Sequence, residues 1–425
     1  MKLTSESDRR GWRACLLDGL ALALVLFGIW HVTRVLPSRA TRNDFAHYYI
    51  SSRLLLAGAD VYATPLEPEC ARWGFQYSAA IPTATNPPFL VGIFAPFAAL
   101  PPRAAFWAWT LFEVICLGYV LIQVWRATTS TLSARARRLV CGAIIASAPV
   151  YWHFVFSQSQ LLIAGLILLA YRLLRNEKPE RACLVLGTAA WLKFFPVVLL
   201  PWFLWRARSQ GNRRWKCVGV IAAWSIAIVV ATGWGSWREF WVHARPVLEA
   251  WIAQQRHFDF TVSSFVKNAA WAFHAFDLGW DGLQTWVTIG TVTGSALIAL
   301  AYGLCWWVGR GRPDVDMDLE FCLLNVAMLA GIAESWGHYF VILAFPAAIA
   351  VSRAVRQPTS GRPAILAVAL MMMNVMTSWQ SPWLEFVISY LPLYGLLLLG
   401  VFFAQEIFRA PRPAADSTTP APPPW

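Results

Sequence analysis

Apolar runs of roughly the length needed to cross a bilayer recur from one end of this chain to the other, separated by short arginine-rich breaks. That alternation constrains the fold more than any other feature. A chain with such runs satisfies its backbone inside helices, because lipid offers no partner for a free N–H or C=O. Composition agrees, with 58% hydrophobic and only 14% charged residues, against about 25% charged in soluble domains. The expected class is an all-α polytopic membrane protein. The 25 tryptophans suit aromatic belts at the two interfaces, and the net charge of +12 is read as positive-inside sorting rather than nucleic-acid binding. No cleavable signal peptide is expected, since the first apolar run is long and lacks a small-residue cleavage site. Of the eight cysteines only Cys70 sits in a polar loop, so no disulfide framework is expected, and no metal-ligand spacing occurs.

Basic residues orient the runs. Lys2, Arg9, Arg10 and Arg13 precede the span Ala14 to Leu36 and place the N-terminus in the cytoplasm. The outer loop 37–103 follows, and Asn86 to Pro102 within it is too short to cross, so it is read as re-entrant or interfacial. Further spans are expected at Ala104 to Trp125, Leu139 to Phe156 and Leu161 to Leu174. The stretch Ala182 to Trp205 has basic residues at both ends and is interrupted at Lys193-Phe194-Phe195-Pro196. One span cannot return to its own side, so this stretch is read as two half-helices folding back at Lys193, with a cavity beneath. Val218 to Trp234 leads to a second outer loop, 235–282. Leu283 to Val308, Leu319 to Ala333, Phe340 to Val351, Ala364 to Met376 and Trp383 to Phe403 complete the set. The sum is about 12 transmembrane segments. Residues 1–409 form one integral-membrane domain, and the Pro-rich stretch Ala410 to Trp425 is a disordered cytoplasmic tail.

With this orientation Asp44, His47, Asn86, Gln158, Gln160, Lys193, His257, Lys267, Glu334 and His338 all fall on the outer side. Ionisable groups near membrane depth are costly, and a shared side suggests one site. Asp44, followed by Tyr48 and Tyr49, can act as a general base toward a hydroxyl; with an ordinary carboxylate pKa of about 3.9 it needs positioning more than tuning. A loop Asp that caps a helix is the plain alternative. Lys193 can neutralise a phosphate whose lipid tail lies in the bilayer, or simply snorkel to the interface. His338, in Trp336-Gly337-His338-Tyr339, can donate to a phosphate or a sugar hydroxyl, while Asn86, Gln158 and Gln160 are neutral partners for hydroxyls. Glu113 is the clearest acid inside a span and stands alone in the sequence.

Taken together, Asp44-Phe45 with Tyr48-Tyr49, Gly58-Ala59-Asp60-Val61-Tyr62, Asn86-Pro87-Pro88, Ser157-Gln158-Ser159-Gln160, Lys193-Phe194-Phe195-Pro196, Ser263-Ser264 and Ser335-Trp336-Gly337-His338-Tyr339 form an ordered set. That set resembles the GT-C-fold glycosyltransferases of family 87, which include polyprenol-phosphate-mannose-dependent α-mannosyltransferases. The resemblance implies a GT-C fold, no nucleotide-sugar site, and an acid in the first outer loop as general base. It implies a polyprenyl-phosphate sugar as donor, most simply mannose, and a lipid- or glycan-type acceptor at the extracytoplasmic face of a bacterial plasma membrane. By position Asp44 becomes the base, and Lys193 and His338 hold the donor phosphate. Asn86, Gln158, Gln160, Tyr48, Tyr49, Ser263 and Ser264 become substrate contacts, with no cofactor or metal expected. A flippase for a lipid-linked saccharide is the alternative, and it would want acids in mid-span; a structural subunit of an envelope assembly would leave Asp44 replaceable.

Overall fold

The computed structural model describes residues 6–40, 43–76, 82–209, 211, 213–254, 259–273, 280–310, 316–356, 361–375 and 388–409. Within the described residues each apolar run of the sequence coincides with a helix or with the start of one. In order they are α1 Glu6–Thr33, α2 Asn43–Leu56, α3 Leu66–Trp73, α4 Pro88–Ala98, α5 Pro102–Ala127, α6 Ala134–Ile145, α7 Ala148–Phe156, α8 Gln160–Arg175 and α9 Pro179–Leu192. There follow α10 Leu200–Ser209, α11 Arg214–Thr232, α12 Trp234–Glu239, α13 Arg245–Gln254, α14 Val262–Phe273 and α15 Trp280–Arg310. The last are α16 Met317–Gly331, α17 Ala344–Arg356, α18 Arg362–Met373 and α19 Leu391–Arg409. Among the described residues six helical segments are long and apolar enough to cross a membrane, or seven if the bent pair α6–α7 counts as one span. The other predicted spans are helices too, but shorter. His257 and the C-terminal tail lie outside the described residues.

Proline sets many of the starts. Pro88, Pro102, Pro149, Pro179 and Pro363 stand in the first turn of α4, α5, α7, α9 and α18, where the missing N–H is not needed and φ is already helical. The end of α7 is a different matter: Ser157 takes φ 52° and ψ 45°, a left-handed conformation that a residue with a Cβ adopts only at a cost. Its N–H and that of Gln158 turn back to the carbonyls of Phe154 and His153, closing α7 and redirecting the chain into α8.

The break at Lys193 has the form expected from charge. α9 ends at Leu192, Lys193 is extended (φ −148°, ψ 132°), and a single 3-10 turn, Phe195–Leu199, leads into α10. α10 packs back against α9 and α8. Away from the break the two ends of the pair come together, where Arg213, just after α10, donates through Nε to Glu180 at 2.6 Å and through Nη1 to the Glu177 carbonyl at 3.0 Å.

α16 is the centre of the bundle, buried from Leu319 to Gly331, whereas α1, α11 and α15 carry large exposed apolar side chains such as Leu22, Val230 and Leu300. Those exposed faces suit lipid. Close crossings use glycine: a Cβ on Gly331 of α16 would lie 2.5 Å from the Gly294 carbonyl oxygen of α15. Gly142 of α6 meets Ala21 of α1 in the same way. Small residues at a crossing let membrane helices approach closely.

Between α1 and α5 the described chain folds into the helices α2, α3 and α4. α2 is gripped by α4 and α5 through Phe45, Tyr48, Phe94, Phe106 and Trp109, with Phe45 and Phe106 at 5.2 Å edge to face and Phe94 and Trp109 at 5.0 Å. Burying an aromatic side chain contributes about 1.5–3 kcal/mol. Polar locks fix the register: Ser52 Oγ donates to the Val91 carbonyl at 2.8 Å and Tyr49 Oη to the Leu100 carbonyl at 2.9 Å.

Candidate active site

Four separate pieces of chain converge at one end of the bundle. The first turn of α2 brings Asp44 and, one turn on, Tyr48. The α7–α8 turn brings Gln158, the break after α9 brings Lys193, and the 3-10 segment Gly337–Leu343 brings His338 and Tyr339. The Gln158 amide joins them. Its Nε2 donates to Asp44 Oδ2, and its Oε1 accepts from Tyr48 Oη at 2.9 Å and from Lys193 Nζ at 2.9 Å. Lys193 Nζ also donates to Tyr339 Oη at 3.4 Å and lies 4.9 Å from the centre of that ring. An amide is suited to this place, because its two ends answer a carboxylate and an ammonium at once.

Asp44 does not keep an ordinary carboxylate pKa. Burial pushes it up, and the charges of His47 and Lys193 with the Gln158 hydrogen bond pull it back only in part. His47, one turn along α2, is pushed below the usual imidazole range by burial, with the Asp44 carboxylate pulling the other way.

Two further carboxylates stand near. Asp259 Oδ1 accepts from the Ser335 N–H at 2.9 Å, and the Phe260 N–H donates to the Ser335 carbonyl at 2.8 Å. This small bridge, with Trp251 stacked on Trp336 at 5.3 Å, ties α13 and residues 259–260 to segment 334–339. Burial raises Asp259 to about 6, its contact with Ser335 notwithstanding. Glu334 is raised to about 7, first by burial and then by Asp259, against the pull of Lys193. Among the described residues no group of three His, Cys, Asp or Glu side chains is arranged to hold a metal ion.

Several polar atoms around this cluster are buried and have no protein partner among the described residues: Ser159 Oγ, both ends of the Gln160 amide, Ser335 Oγ and both ring nitrogens of His338. The His338 ring packs 5.4 Å from Phe156 and 5.0 Å from Tyr339. Buried polar groups are normally satisfied, so such a set marks where a polar ligand or water would sit.

The structure thus gathers Asp44, Tyr48, Gln158, Lys193 and His338, with Gln160 behind them. It does not gather the rest. Tyr49 is used to pin α2 to the end of α4. Asn86 offers its carbonyl to Tyr62 Oη at 2.8 Å, beside a cleft lined by Leu55, Tyr62, Pro88, Val91, Thr232 and Ser236. Ser263 meets Thr291 of α15 at 3.3 Å, and Ser264 meets Tyr390 at 3.0 Å, so both serines hold α14 in place. Sequence reasoning assigned no individual role to Tyr339, Asp259 or Glu334, although Glu334 was counted among the ionisable groups expected on one side. Glu113 is not alone: its carboxylate lies 3.1 Å from His153 Nε2.

Comparison with known proteins gives a consistent picture. The sequence pattern that describes glycosyltransferase family 87 matches residues 84–330, a stretch that includes Gln158 and Lys193 and begins after Asp44. A polyprenol-phosphate-mannose-dependent alpha-(1-2)-phosphatidylinositol mannoside mannosyltransferase of Mycobacterium tuberculosis is 26% identical over 347 residues, covering 77% of this chain and 72% of that protein. The protein of the same description from Mycolicibacterium smegmatis is 30% identical over 243 residues, 54% of this chain and 52% of its own length. No solved structure matches.

Proposed function

Because the chain belongs to glycosyltransferase family 87, and is therefore a membrane glycosyltransferase, we propose that it moves mannose from a polyprenyl phosphate to a hydroxyl of a glycolipid acceptor. The observation that carries this reading is the Gln158 amide, which ties the Asp44 carboxylate to the Lys193 ammonium. The base and the cation for the leaving phosphate are thus held by one amide.

In the step itself Asp44 accepts the proton of the acceptor hydroxyl. The freed oxygen attacks the anomeric carbon, and the bond from that carbon to the phosphate oxygen breaks. The polyprenyl phosphate leaves with the electron pair and both negative charges, which Lys193 meets, with His338 donating beside it. One displacement inverts the anomeric centre. A fixed cation in a dry site stabilises the charge that develops on the leaving group, and the bridging amide keeps both reacting partners oriented. Tyr48 and Tyr339 complete the shell around Gln158 and Lys193. The unpartnered atoms of Ser159, Gln160 and Ser335 suit sugar hydroxyls.

The relatives' names describe a polyprenol-phosphate-mannose donor and a phosphatidylinositol mannoside acceptor, and on that basis the acceptor here is a mannosylated phospholipid. The fold proposed is GT-C, with about twelve membrane segments once the short helices are counted. The site end faces the outside of a plasma membrane, since the opposite end carries the basic clusters.

The purified protein, given radiolabelled polyprenyl-phosphate mannose and a phosphatidylinositol mannoside, should form a labelled glycolipid of inverted anomeric configuration, also in the presence of EDTA. Intact donor appearing across a vesicle bilayer with no product would move the assignment to a flippase.

A further inference from the structure

Glu113 and His153 form a buried pair of ionisable side chains between α5 and α7 that the proposed chemistry does not use. Glu113 is 2% exposed and His153 is fully buried, and their facing atoms are 3.1 Å apart. A pair of this kind is weak evidence for stability, because well-packed apolar side chains often serve as well or better. Its position gives it another use. Glu113 lies on α5 and His153 on the last full turn of α7, whose carbonyl accepts the Gln158 N–H at 3.2 Å. One helical turn before Glu113 on the same face, the Trp109 indole N–H of α5 donates to the Ser157 carbonyl at 3.3 Å. Helix α5 therefore holds the α7–α8 turn at two points, four residues apart on its own face. Ser157 is kept in its left-handed conformation between them.

We infer that Trp109, Glu113 and His153 are positioning residues that hold the Ser157–Gln158 turn, and so fix the Gln158 amide between Asp44 and Lys193. The inference rests on the reading of Gln158 as the bridge in the active site. None of the three touches the reacting atoms. The clamp acts through the turn: without it the Gln158 N–H loses its fixed acceptor, and the amide swings away from the carboxylate and the ammonium.

Three variants of the full chain test this: Glu113→Leu, Glu113→Gln, and the double change Glu113→Leu with His153→Leu. The first readout is hydrogen exchange at the Gln158 amide, which needs no activity. It should speed up in Glu113→Leu and in the double variant, stay near the parent rate in Glu113→Gln, and leave the middle of α8 unchanged. The second readout is turnover. The leucine variants should lose kcat on the order of 100-fold, with the donor KM little changed, as a misplaced group does. Glu113→Gln should recover most of the rate, because its amide keeps the size and polarity with which Glu113 meets His153. The double variant should melt at or above the parent temperature, which separates lost positioning from lost folding. Unchanged exchange at Gln158 in both leucine variants would overturn the inference, as would full turnover in the double variant. Full activity in Asp44→Asn would instead strike the reading of the site, leaving the exchange result to judge the clamp.

Discussion

Burial is the largest influence on Asp44 and raises its affinity for a proton, while His47, Lys193 and Gln158 oppose it. A base with a raised pKa takes a proton more readily, provided it is ionised at the working pH. The acidic limb of kcat/KM should therefore lie above the ordinary Asp value of about 3.9. Replacing Lys193 with methionine removes one of the charges that hold the carboxylate ionised. The limb should move to higher pH in that variant, and the donor KM should rise. A limb that stays put would mean that Lys193 does not face Asp44 as the structure places it. The residue types of this site were legible in the sequence, since Asp44, Gln158, Lys193 and His338 stand out as polar groups in apolar surroundings. Their connection was not. Nothing local to Gln158 says that its two ends answer side chains 114 residues before and 35 residues after it. Nor could the raised pKa be read, because it depends on what covers Asp44.

Helix crossings set where these side chains point. Segment 334–339 begins three residues after Gly331, and Gly331 sits against the Gly294 backbone with no room for a side chain. Gly331→Leu should push α16 from α15, at about 1–3 kcal/mol for overpacking, and lower turnover by moving Tyr339 and His338. Gly219→Ala, at an exposed glycine of α11 with open space around it, should leave both thermal midpoint and rate close to the parent. Equal behaviour of the two variants would contradict the crossing. At this scale the break at Lys193 was legible, because basic residues at both ends of one apolar stretch admit few topologies. The packing of α2 was not. Its tyrosines read as neighbours of the base and as substrate contacts, while the aromatic partners Phe94, Phe106 and Trp109 come about fifty or more residues later.

Over the whole molecule the charges divide between two ends of the same helices. At one end arginines pair with acids from other elements: Arg138 with Asp18 at 2.9 Å, Arg175 with Asp318 at 2.8 Å, Arg206 with Glu320 at 3.0 Å and Arg362 with Glu406 at 2.6 Å. Arg353 and Asp316 are joined there as well. At the other end Asp44, Lys193, Asp259 and Glu334 crowd into the site. The distribution of arginines announced the first end in the sequence, whereas the second is assembled from loops far apart in the chain. Asp259 near 6 and Glu334 near 7 have consequences for stability. In the unfolded chain these groups titrate near about 3.9 and 4.3, so between those values and 6–7 the folded protein holds more protons. Stability from these groups is fully present below about pH 4 and is lost as pH rises through 6 and 7. The thermal midpoint should fall between pH 5 and pH 8, and Glu334→Gln should flatten that slope. An identical slope in the variant would show that Glu334 does not face Asp259 as the structure places it.

The central claim is that Asp44 is the base in a site whose cation is Lys193, and single-turnover transfer by Asp44→Asn tests it most directly. Asparagine keeps the size of the side chain and can still meet Gln158, but it cannot accept the acceptor's proton. Donor should still bind, and transfer of labelled mannose should fall at least on the order of 100-fold, within the range that general-base catalysis supplies. Transfer at the parent rate, with donor bound equally well, would contradict the account and leave the proton to another group.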